Sequence, residues 1–178
     1  MKKILIVSSI VSAFTFSSFN ANAIEENTLS VGYAQSSAKV NGKKIDDDAK
    51  GFNIKYRYEI DNDWGVIGSF AYTHLGYNFY YGNMKFADAK LDYYSLNVGP
   101  TYRFNEYISA YGLVGVAHGK VEARAMGYSD DDSSTGFVYG VGLQFNPVKN
   151  IAIDASYEYT KLDDFKVGTW MVGVGYRF

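Results

Sequence analysis

Eight stretches of this sequence alternate, with a period of two, between large apolar residues and small or polar ones. Beyond residue 23, no stretch supplies the roughly 18 or more consecutive apolar residues that a membrane-crossing helix requires. The last of the eight, "GTWMVGVGYRF", shows the difficulty. Trp170, Val172, Val174, Tyr176 and Phe178 fall on one face, and Thr169, Met171, Gly173, Gly175 and Arg177 on the other. A strand of a soluble sheet would turn the first face to a core and end in a polar tail. Here the apolar face runs to Phe178.

The other stretches behave alike. Leu29, Val31 and Tyr33 share a face in the first. In the second, Phe52, Ile54, Tyr56, Tyr58 and Ile60 oppose Asn53, Lys55, Arg57 and Glu59. Trp64, Val66, Phe70 and Tyr72 group in the third, and Tyr94, Leu96, Val98, Tyr102 and Phe104 in the fourth. The fifth, around Ile108 to Lys120, is rich in Gly and Ala and leaves its facing open. Phe137 to Phe145 and Ile151 to Tyr159 repeat the alternation in the sixth and seventh. The connections alternate too. Those near Asp61, Asn105 and Asn146 are tight, whereas Ser36 to Lys50, Leu75 to Leu91, Val121 to Thr135 and Lys161 to Val167 are long.

Two barrels fit an even number of such strands. A soluble one would put the apolar face inside, but eight strands enclose a space only just wide enough for side chains. So many Phe, Tyr, Trp and Leu side chains cannot all point inward, while Gly, Ser, Thr, Ala and a few charges can. The expected fold is therefore all-β: an eight-stranded antiparallel transmembrane β-barrel with short periplasmic turns and four longer extracellular loops. Its aromatics, 17% of the chain with 17 tyrosines, suit two interfacial girdles.

Composition agrees with export. Lys2 and Lys3, an apolar run from Ile4 and the Ala21-Asn22-Ala23 site predict a cleaved signal peptide over 1–23, ahead of a barrel domain over 24–178. Losing that leader removes two of 17 basic residues and none of 19 acidic ones, which leaves 15 against 19 and a net charge of −4. Nucleic acid is a poor partner for such a chain. There is no cysteine, so disulfides contribute nothing to stability.

Several groups bear on chemistry. Lys55, Arg57, Glu59, Arg103, Asp154, Glu158 and Arg177 are expected to face the lumen. A filled lumen offers no substrate cleft, so they read as a fixed charge network rather than a catalytic site. His74 and His118 stand near upper strand ends with no convergent metal ligands. No cofactor, metal or catalytic residue is expected. Asp46 to Asp48 and Asp130 to Asp132 lack the spacing of a calcium loop and read as solvated. The second long loop, "GYNFYYGNMKFADAK", interleaves rings and cations: Tyr77, Phe79, Tyr80, Tyr81, Lys85 and Phe86 form a candidate ligand-binding loop. Lys39, Lys50, Lys161 and Lys166 flank strand tops in the first and fourth loops. They are candidate contacts for lipopolysaccharide phosphates, with solubilising lysines as the alternative.

"GFNIKYRYE", "GVIGSFAYTH", "YGLVGVAHGK", "GLQFNP", "DASYEYTKLD" and "KVGTWMVGVGYRF" resemble the Ail/OmpX/PagC/Lom family of enterobacterial outer-membrane proteins, strand by strand. "GYNFYYGNMKF" and "KGFNIKYRYEI" are most similar to its Ail branch, in Yersinia, and "EARAMGYSDDDSST" departs most. The resemblance implies a cell outer-membrane location and a C-terminal strand read by the barrel-assembly machinery. It also implies adhesion, invasion and serum resistance, through fibronectin, laminin or heparan sulfate and through complement regulators. The alternative it leaves is a structural OmpX-like barrel with no specific host ligand.

Overall fold

The computed structural model describes residues 27–178 other than 41–42, 45–46, 82–83, 126–127 and 163–164. The signal-peptide segment lies outside them, as do Asp46 and the side chains of 40, 43–44, 77–81, 84–89, 123–132 and 165. Eight long strands form the barrel: β1 (Asn27–Val40), β2 (Ala49–Glu59), β3 (Trp64–Tyr81), β4 (Met84–Arg103), β5 (Ile108–Ala125), β6 (Tyr128–Val148), β7 (Ile151–Leu162) and β8 (Phe165–Arg177). Each pairs antiparallel with the next, and β1 pairs with β8 from Thr28↔Arg177 to Val40↔Phe165. Asn27 and Phe178 complete the seam with reciprocal backbone hydrogen bonds of 2.8 and 2.9 Å. A closed ladder leaves no edge in the membrane, where an unpaired backbone group would cost several kcal/mol.

The alternation maps onto two environments. Val141 is 66% exposed and Val174 61%, whereas Arg57 is 1% exposed and Glu158 fully buried. A soluble protein shows the reverse order, so the apolar surface is the lipid face. The fifth stretch falls into line: Ile108, Val114, Val116 and His118 face out, while Ser109, Tyr111, Leu113 and Ala117 face in. Rings border the lipid band. At the periplasmic end Trp64 packs on Tyr102, with centroids 4.9 Å apart, and Tyr102 on Phe104. At the other end Tyr33 meets Trp170, Tyr72 meets Tyr94 and Tyr139 meets Tyr159.

Two periplasmic turns share one device. The Asp61 side chain accepts from the Asp63 and Trp64 N–H groups, at 2.9 and 2.7 Å. Asn105 does the same for Tyr107 and Ile108, at 2.9 Å each. A short side-chain acceptor two residues back mimics a turn's own hydrogen bond, so these links need few residues. In the lipid span, the β4–β5 register has no partners for Gly99 and Pro100. Pro100 has no N–H to give. Gly99 admits the opposite backbone so closely that an added Cβ would lie 1.7 Å from the Gly112 carbonyl oxygen.

The long connections differ from the expected loops. Two of them, 75–91 and 121–135, are mostly paired strand. The β3–β4 ladder runs to Tyr81↔Met84 and the β5–β6 ladder to Ala125↔Tyr128. Ladder pairing with β2 stops at Lys50↔His74, and that between β6 and β7 at Val138↔Thr160. Strands β3 to β6 therefore stand as a four-stranded wall above the low rim made by β7, β8, β1 and β2. The two-residue strand Lys43–Lys44 pairs back onto β1 at that rim. The apolar/polar alternation had suggested strands only where lipid demands it; above the membrane, small and charged residues obscure the same ladder.

Candidate functional site: lumen, lysine row and extracellular wall

The lumen residues arise from the inward positions of β2, β4, β7 and β8. At mid-depth Lys55 makes an ion pair with Asp154 and donates to the Ser156 hydroxyl at 2.9 Å. Lys55 Nζ also lies 5.7 Å from the centre of the Tyr111 ring. Glu158 accepts from the Ser95 hydroxyl at 2.8 Å. Nearer the periplasm, Glu59 serves three cations: Arg103 in a close ion pair, Arg57 at 3.4 Å and Arg177 at 3.8 Å. Every one of the seven expected lumen residues is thus inward. All but Arg103 are buried. Ile67, Tyr111 and Leu113 pack together inside, and so do Ala34, Ala71 and Met171. The inward tyrosines Tyr93 and Tyr111 were hidden from sequence reading, because a ring in a strand otherwise signals the lipid face. Small inward neighbours make room for Tyr111: a Cβ on Gly142 would sit 2.3 Å from its ring. This arrangement fills a narrow space, sets four cations against three anions and can hold strands in register.

The expected lysines are all exposed and outward. Lys39 lies opposite Lys166, and Lys166 opposite Lys161, so three lysines form one row across β1, β8 and β7. Lys44 continues the register beside Lys39. Like charges directly opposite one another repel, which makes such a row a ready acceptor of anions. Lys50 stands apart, opposite Gln35 and His74. His74 contacts Asp92 at 2.8 Å, and the Tyr72 hydroxyl donates to the same carboxylate at 2.8 Å. His118 contacts the Thr135 hydroxyl at 2.9 Å. The cross-strand row follows from closure of β1 on β8, but its register could not be read from the sequence.

The candidate binding-loop residues lie in the wall. Tyr77 pairs with Ala89, Phe79 with Ala87, Tyr80 with Lys85 and Tyr81 with Met84. The register shifts between Phe79 and Tyr80, which leaves Phe86 without an opposite residue. Their side chains fall outside the described set, as do those of Asp130 to Asp132. Of the first acidic run, Asp47 is exposed, and Asp48 accepts from Gln35 and from Ser37 at 2.8 and 2.6 Å. Asp48 is thereby bound into the rim rather than free in solvent.

At the mouth, the inward face changes character. Ser36, Thr73 and Thr169 are hydrogen-bonded together at 2.6 and 2.8 Å, and the Tyr93 hydroxyl meets Thr160 at 2.9 Å. Above this polar floor lies a recess of about 60 Å³ whose walls include Leu75, Leu91, Val121, Leu162 and Val167.

Residues 6–178 match the outer membrane protein β-barrel domain family. The sequence is 57% identical over 178 residues to the attachment invasion locus protein of Yersinia enterocolitica, covering 100% of each chain. It is 43% identical over 180 residues to outer membrane protein X of Escherichia coli K12, again over 100% of each. A crystal structure of the attachment invasion locus protein of Yersinia pestis, in complex with the heparin analogue sucrose octasulfate, is similar with a TM-score of 0.82 at 54% identity. That match covers 86% of this chain and 99% of the other.

Proposed function

The chain belongs to the Ail/OmpX/PagC family of outer-membrane β-barrel proteins, and from that premise we propose that it is an adhesin and complement-evasion factor. It sits in the outer membrane and presents its long hairpins to the outside. The observation that carries the reading is the wall of β3 to β6. From Leu75 to Tyr81 strand β3 is paired, among the described residues, with β4 alone. At about 3.3 Å per residue that is on the order of 20 Å of paired strand beyond the low rim. A hydrogen-bonded wall loses less entropy on binding than a free loop would. It carries Tyr77, Phe79, Tyr80, Tyr81, Lys85 and Phe86, whose types are enriched where proteins bind one another. Host fibronectin, laminin and complement regulators are the partners we assign to it. Heparan sulfate joins them because a Yersinia relative is solved with a heparin analogue.

Lys39, Lys161 and Lys166, with Lys50 nearby, are assigned to lipopolysaccharide phosphates, since they are exposed, outward-pointing cations near the extracellular ends of their strands. Insertion depends on the barrel-assembly machinery, with Phe178 in the recognised strand. The test of adhesion is the double substitution Phe79→Ala and Phe86→Ala. Burying one ring contributes about 1.5–3 kcal/mol, so attachment to host cells or to fibronectin-coated wells should fall at least about tenfold, which needs about 1.4 kcal/mol. Heat-modifiable gel migration should persist. Asp131→Asn with Asp132→Asn serves as the control. Normal attachment by the aromatic variant together with failure of the control would move the site to the β5–β6 hairpin. Normal attachment by both would favour the structural barrel.

A further inference from the structure

We propose that the recess at the extracellular mouth is a binding site for one short, branched aliphatic group. Three features lead there. First, the recess surface is mainly apolar where the lumen below is polar: Leu75, Leu91, Val121, Leu162 and Val167 dominate it, although Asp47, Asp92, Lys120, Ser133 and Ser134 also line it. Second, its floor offers water nothing. The Tyr93 hydroxyl is engaged by Thr160, and Ser36 by Thr73 and Thr169. A water held at the floor would need two to four polar partners, and these hydroxyls are already engaged with one another. Third, small side chains keep the space open. Ala38 and Ala49 line it where larger residues would close it. At Gly119 an added Cβ would already press within 2.9 Å of Leu162.

Size then selects the ligand. The recess, at about 60 Å³, is well below the ~150 Å³ of a cavity that accepts benzene. The branched end of a leucine-like chain fits; a six-membered ring does not. Lipid tails have no route to it, because the ladder is closed on all sides through the membrane. The group arrives from the extracellular medium, either free or as a side chain of a bound protein. The site does not depend on adhesion, since the recess exists in the barrel alone.

The experiment uses the full mature chain in lipid nanodiscs with labelled Leu and Val methyls, and isobutanol as probe. Saturable shifts are expected at Leu75, Leu91, Val121, Leu162 and Val167, and none with benzyl alcohol. Ala49→Leu fills the recess, and Leu91→Ser makes a wall polar; each should weaken isobutanol binding at least tenfold. An unchanged amide spectrum away from the mouth verifies folding, and either variant alone suffices if the other fails to fold. Absence of saturable shifts in the wild type, equal binding by both alcohols, or full binding by a folded variant would overturn the proposal. Adding fibronectin identifies the source: competition for the recess marks a protein side chain as the natural occupant, and undisturbed isobutanol binding marks a free small molecule.

Discussion

Replacing Lys55 with Met should be among the most damaging single changes in the lumen, and replacing its partner as well should undo most of the damage. Lys55 and Asp154 are both about 2% exposed and form an ion pair. Without the ammonium group, the Asp154 carboxylate keeps, among the described residues, the Tyr111 hydroxyl at a long 3.4 Å. Removing one partner of a buried pair costs about 3–5 kcal/mol, whereas exchanging both for apolar residues of similar volume is often neutral or better. Lys55→Met should therefore lower the folding equilibrium constant by roughly two to four powers of ten. Lys55→Met with Asp154→Leu should return to within about 1.5 kcal/mol of the wild type, and the cycle should close with a coupling energy of about 2 kcal/mol or more. Reversible urea unfolding in lipid vesicles, followed by tryptophan fluorescence and gel migration, measures all four proteins. A single variant costing under about 1 kcal/mol, or a double variant as poor as the sum of its singles, would refute the view that this pair stabilises by mutual neutralisation.

Gly99→Ala should impair assembly, because its Cβ would meet the Gly112 carbonyl oxygen at 1.7 Å; Gly68→Ala, with nothing within 4 Å, should assemble normally, as surface yield will show. Changing Lys39, Lys50, Lys161 and Lys166 together to Gln should weaken lipopolysaccharide retention at low salt and less so at high salt; unchanged retention at low salt would make them solubilising groups only. The Asp63 and Trp64 N–H groups hold the Asp61 carboxyl below the ordinary aspartate range. Its stabilisation is present above the unfolded value of about 3.9 and is lost as pH falls through the lower folded value. The stability gap between wild type and Asp61→Ala, measured by urea midpoints, should therefore narrow only in strong acid.

The barrel was legible because lipid enforces a single rule. Wherever it touches the chain, large apolar residues must alternate with lumen residues, and Leu29 to Tyr33 or Phe137 to Phe145 obey without exception. The rule fell silent in Ile108 to Lys120, where Gly112, Gly115 and Ala117 give neither face a signature, and pairing with β4 and β6 decided the matter. It also fell silent above the membrane. Asp88, Lys90, Glu122 and Asp130 read as loop, yet they sit in ladders, because a strand flanked by strands needs no apolar face to persist. Of the candidate sites, the lysines were legible by type and place. Their alignment depends on strand stagger, which no single strand encodes. The mouth recess was invisible, since its lining residues are scattered over all eight strands.

The wall gives the two ends of the molecule different ways to open. In the membrane every strand is gripped on both sides, so no amide there can exchange its hydrogen without parting a closed ring. On β3 above His74 and on β6 above Gly136 the described residues place a neighbour on one side only, and those amides need only a hairpin to peel from its edge. Deuterium should enter there in minutes while the ring stays dark for days. The outer hairpins should open locally while the ring in the membrane stays closed.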